Sequence, residues 1–141
     1  MLHTALRKRA QVLAPIIVLS IVLTAVTAFA ASQLITAKKG GTIDIAPGVE
    51  LVFLPKALEE DTEIIANMYV GQQSIVYDFG PDGTVLSKPA RLIVSREVIK
   101  DAEVDDLVLY GEDGEEIAPK KNKKRLIYKL NHFSRYYHRR R

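Results

Sequence analysis

At 141 residues the chain has room for one domain, and a body of this size buries roughly two thirds of its unfolded surface, enough for an autonomous core. The absence of cysteine excludes disulfide staples, thiolate metal sites, cysteine nucleophiles and a lipidated cysteine anchor together. A formal charge of +3 conceals an asymmetry: residues 38–119 carry all 17 acidic side chains against seven basic ones, whereas residues 120–141 carry ten basic and no acidic ones.

Met1–Gln11 holds the basic cluster Arg7, Lys8 and Arg9, and Val12–Ala31 follows as twenty residues without a charge. Ala28-Phe29-Ala30 sets small residues at the spacing a signal peptidase accepts. Residues 1–31 are therefore expected to be a signal peptide or a single N-terminal transmembrane helix. An apolar run near 20 residues also reaches what a membrane span needs, so both readings stand. Either way Arg7–Arg9 stay on the cytoplasmic side. The expected location is exported, anchored to the cytoplasmic membrane with the C-terminal domain outside, or secreted after cleavage near Ala30.

From Gln33 onward, short apolar or alternating runs are separated by turn residues, with no long stretch at helical period. Residues 32–39 read as a linker with a first short strand at Leu34–Ala37. Further strands are expected at Thr42–Ala46, Val49–Leu54, Glu63–Val70, Ser74–Phe79, Ala90–Ser95, Asp106–Tyr110, Arg125–Leu130 and His132–Tyr137. Gly40-Gly41, Pro47-Gly48, Gly80-Pro81-Asp82-Gly83 and Asp113-Gly114 supply the hairpin turns between them. Pro55–Asp61 suits a single turn crossing between sheet edges, and Arg96–Ala102 a short helix. Ile43 and Ile45 flank Asp44, and Val49, Leu51 and Phe53 alternate with Glu50 and Val52, as strands with one buried face require. The fold class is all-β, an antiparallel sandwich of about eight to nine short strands preceded by one hydrophobic helix.

Gly40-Gly41-Thr42-Ile43, the run Val49–Leu58 with its Pro55, Asp61-Thr62-Glu63-Ile64, and Phe79-Gly80-Pro81-Asp82-Gly83 followed by Lys88-Pro89-Ala90-Arg91-Leu92 occur in an order that resembles the ZU-five domain. This is the β-sandwich module named for zonula occludens proteins, netrin receptors and ankyrins. The resemblance spans residues 40–138 and leaves residues 139–141 as a basic tail. It implies a docking or structural module, since the shared residues make turns and core and carry no chemistry. Some relatives cleave themselves within a His-Phe-Ser sequence, and His132-Phe133-Ser134 has those residues in that order. By that resemblance Ser134 would attack the Phe133 carbonyl with His132 as base, which requires a strained peptide. The bland alternative is a closing strand in which Phe133 fills the core and His132 caps an edge.

No metal or cofactor is expected. His3, His132 and His138 are the only histidines and match no zinc pattern. Glu112-Asp113-Gly114-Glu115-Glu116 lacks the ligand spacing of a calcium loop and reads as a solvated hairpin. Lys120, Lys121, Lys123, Lys124 and Arg125, with Arg139, Arg140 and Arg141, would suit nucleic acid in the cytosol. On an exported domain they are expected to contact anionic lipid or wall polymer instead, or simply to balance the acidic body. The function expected is a non-enzymatic binding or structural domain whose partner is an unidentified protein or envelope component. The membrane joins as a partner if the N-terminal helix is retained, and nucleic acid is not expected as a partner.

Overall fold

The computed structural model describes residues 26–141. The expected N-terminal helix lies outside these residues, apart from its last few positions. In chain order the elements are β1 (Thr27–Ile35), β2 (Gly41–Ala46), β3 (Val49–Phe53), β4 (Thr62–Gly71), β5 (Ser74–Gly80), β6 (Val85–Ser95), α1 (Arg96–Asp101), β7 (Leu109–Gly111), β8 (Glu116–Ile117), β9 (Lys120–Lys121), β10 (Arg125–His132) and β11 (Arg135–Arg139). They form a six-stranded sheet, β1-β4-β5-β11-β7-β8, and a five-stranded sheet, β2-β3-β6-β10-β9. All strand pairs are antiparallel.

Period-two alternation sets the faces. In β3 the pattern buries Val49, Leu51 and Phe53, and in β10 it buries Leu126, Tyr128 and Leu130. These rows meet Ile64, Ala66 and Met68 of β4 and Ile75, Tyr77 and Phe79 of β5 in one core. Aromatic rings fill its centre: Phe133 packs against Phe53 at 5.8 Å and Phe79 at 5.7 Å between ring centroids, and Phe79 lies 6.2 Å from Tyr136. Tilted or edge-on contacts at such distances add to the burial energy of each ring.

The strands differ from expectation where polar groups intervene. β7 starts at Leu109 instead of Asp106, because the Asp106 carboxylate turns back to accept hydrogen bonds from the Val108 N–H and the Tyr110 hydroxyl. The connection between β10 and β11 is only Phe133-Ser134, so the strand expected at His132–Tyr137 begins at Arg135. β8 and β9 have no counterpart among the expected strands, and Lys120-Lys121 pairs with Ile127 and Leu126 of β10. β1 begins at Thr27, ahead of the expected Leu34, so Thr27–Ala31 pair with Val70–Ala66 of β4. Residues assigned to the end of the targeting segment are thus strand residues in the folded domain.

Two of the glycine turns are corners instead of hairpins. Gly40 and the Gly80–Gly83 segment carry the chain from one sheet to the other, β1 to β2 and β5 to β6. At Gly40, φ is +68° and an added Cβ would lie 2.2 Å from the Phe53 carbonyl oxygen, so no other residue fits without moving backbone. The short helix is found where expected: Ser95 caps α1 by accepting from the Glu97 N–H, with Ile99 buried beneath it.

Candidate functional site

Three regions were singled out by sequence: the His-Phe-Ser segment, the basic residues, and the acidic turn.

His132-Phe133-Ser134 is where the chain leaves the five-stranded sheet for the six-stranded one. Phe133 is buried, its N–H donates to the Thr84 carbonyl at 2.9 Å, and its own carbonyl accepts from the Gly83 N–H at 3.4 Å. Ser134 Oγ donates to the Arg135 carbonyl at 3.3 Å. The His132 ring is turned to the acidic hairpin, with Nε2 3.0 Å from Glu115 Oε2 and 3.5 Å from Asp113 Oδ2. Its carbonyl accepts from the Tyr136 hydroxyl at 2.7 Å. The three residues are adjacent in space as in sequence, but imidazole and serine hydroxyl are engaged with different groups.

The basic residues divide between the two sheets. Lys120–Arg125 form the exposed end of the β9–β10 hairpin: Asn122 Oδ1 accepts from the Lys124 and Arg125 N–H groups, and the Asn122 carbonyl accepts from Arg96 Nε at 2.7 Å. Arg139 and Arg141 are tied down at the end of β11. The Arg139 guanidinium stands 4.1 Å over the Tyr110 ring. The Arg141 N–H donates to Asp105 Oδ1 and its Nε approaches Asp106 Oδ2 at 3.6 Å. Arg140 shares an open groove with Arg96 and Lys100, where Glu103 and Asp105 offset the charge.

A groove of about 450 Å³ on the five-stranded sheet differs. Arg91, Lys120 and Lys129 line it together with Ile117, Pro119 and Ile127, and no acidic residue does. The odd-numbered positions of β6 and β10 face outward, because Ala90, Leu92, Tyr128 and Leu130 are buried. Arg91 and Lys129 are direct cross-strand partners, and Lys120 pairs with Ile127 one row along. Among the described residues neither Arg91 nor Lys129 forms an ion pair within 4 Å. Lys120 stands out in the sequence as part of a basic run, whereas Arg91 and Lys129 are legible only through strand parity.

The core also departs from pure hydrocarbon. His138, which matches no zinc pattern in the sequence, is fully buried between Tyr77 and Tyr128, at 5.4 and 5.3 Å between ring centroids. Neither ring nitrogen nor the Tyr77 hydroxyl has a hydrogen-bond partner of good geometry. Burial pushes the His138 pKa down to about 4, against smaller opposing effects from the Val108 backbone and Asp106. Asp106, 2% exposed, is held below the usual carboxylate range chiefly by the Tyr110 hydroxyl, aided by the Val108 N–H and Arg141 and opposed by burial.

Comparison with family models, with curated proteins and with solved structures finds nothing that matches this chain. Among the described residues no helix is long and apolar enough to cross a membrane.

Proposed function

We propose that the chain is a non-catalytic sandwich module of ZU-five type, directed to the outer side of a membrane by its apolar N-terminal segment. There it binds an anionic envelope component through the outer face of the five-stranded sheet. One observation carries the reading. Arg91 and Lys129 stand directly opposite each other across β6 and β10, and like charges in that relation destabilise a sheet. Lys120 adds a third cation to the same groove with no carboxylate to relieve it. Phosphate or carboxylate groups of lipid or polymer would supply the missing countercharge, each basic residue contributing on the order of 1 kcal/mol before screening.

Co-sedimentation with phosphatidylglycerol vesicles, against phosphatidylcholine vesicles at the same low salt, tests this. The chain with Arg91, Lys120 and Lys129 all changed to alanine should lose about tenfold or more of its preference for the anionic vesicles. An unchanged preference rejects the site. Self-cleavage is the enzymatic rival. The engagement of His132 with Glu115, and of Ser134 with its own neighbour's carbonyl, favours an intact chain. Intact-mass measurement should find Ser134–Arg141 attached. Their loss, blocked by Ser134→Ala, would establish the rival.

A further inference from the structure

The acidic turn and the histidine that sequence treats separately meet in the folded chain. Asp113 and Glu115 sit in the turn between β7 and β8, and His132 ends β10. One ligand atom from each side chain lies within 4.8 Å of the other two. The His132 Nε2 separations, 3.0 Å to Glu115 and 3.5 Å to Asp113, bracket the roughly 3.3 Å between donors that share a tetrahedral ion at ~2.0–2.1 Å. We propose that Asp113, Glu115 and His132 form a binding site for a divalent transition-metal ion of the zinc class.

The cluster is supported on both sides before any ion arrives. Asp113 uses Oδ1 to accept from the Glu115 N–H at 3.0 Å, while Oδ2 faces the imidazole. The turn closes through Gly111 N–H to the Glu115 carbonyl at 2.7 Å and Gly114 N–H to the Gly111 carbonyl at 3.0 Å. Gly114 takes φ +95° there. Glu112 N–H donates to the Arg135 carbonyl at 2.9 Å, fixing the turn to β11. On the other side the Tyr136 hydroxyl holds the His132 carbonyl. A bound ion would therefore join the β7–β8 hairpin to the crossing between the two sheets.

Donor chemistry selects the metal. Imidazole nitrogen with two carboxylate oxygens suits zinc, cobalt or nickel, whereas calcium and magnesium favour all-oxygen shells. Two negative charges match a dication, and three protein ligands leave a position for water or an acidic group of a partner. The side chains are 30–52% exposed, so an ion has a path in. The bland reading is a histidine–carboxylate ion pair only, which binds no metal.

Equilibrium dialysis of the purified full chain in neutral detergent, stripped with chelator and then exposed to zinc chloride, separates the two. One zinc ion per chain is expected, with a rise in the thermal midpoint and no displacement by millimolar calcium. His132→Ala, Glu115→Gln and Asp113→Asn should each weaken zinc binding by about tenfold or more and abolish the thermal shift. The two carboxamide variants alter an exposed turn and keep its shape, so they decide the matter even if His132→Ala fails to fold. Absence of bound zinc, or zinc held equally well by the variants, overturns the site.

Discussion

His138 shows most clearly what one buried polar residue does to this core. Unfolded, its imidazole titrates near 6.5; folded, it titrates near 4. Between those values the unfolded chain takes up a proton that the native state does not hold, so stability falls as pH drops from about 6.5 to about 4. The loss is on the order of 3 kcal/mol. Asp106 works in a lower window: its depressed pKa contributes stability above the usual carboxylate range that is lost only as pH falls through its folded value. Chemical denaturation of the His138→Phe variant should therefore show a flattened dependence between pH 6.5 and 4, with the Asp106 loss below it retained. An unaltered slope would assign the acid sensitivity elsewhere. Parity along β11, with Tyr136 and His138 both inward, made the position legible, but the surrounding arginines masked it.

Among elements, β1 bears the most conflicting demands. Thr27–Ala31 belong at once to the uncharged run, to the small-residue spacing that would suit a signal peptidase and to an edge strand paired with β4. The strand is peripheral, since only Ile35 is fully buried, yet Phe29 lies against Met68 in register and lines an opening with Ala46, Pro47 and Val98. A chain starting at Ala31 lacks Phe29. It should be less stable than one starting at Val26 by on the order of 1–2 kcal/mol, the value of a partly buried aromatic. Amide exchange should quicken in β4 opposite the missing residues, at Asn67–Val70. Equal stability of the two forms would show that the strand's first half is ornamental to the fold. The sequence shows the apolar run but not its division, because Ala and Phe suit a membrane helix, a leader and a strand equally.

At the scale of the whole molecule, strand positions follow from alternation and turn residues, and most of β2 to β6 lies within a few residues of expectation. What alternation could not supply was partnership across sheets. His132 of the five-stranded sheet finds Asp113 and Glu115 of the β7–β8 turn only where the chain crosses between layers, a contact that no local pattern encodes. Arg91, Lys120 and Lys129, by contrast, share one sheet and meet through strand pairing and parity. Paired two-residue strands such as β8 and β9 are likewise set by their neighbours, with too few residues to show a period. The result is a sandwich with a filled interior, a cationic groove on one sheet and a mixed histidine–carboxylate cluster at the crossing.

That the groove is the working surface is open to direct mapping. Amide chemical shifts of the chain in neutral detergent, followed during titration with soluble polyphosphate, should change most around Arg91, Lys120 and Lys129, and the changes should fade as salt is raised. Shifts confined to Arg139–Arg141, or spread evenly over all basic positions, would contradict the assignment of function to the five-stranded face.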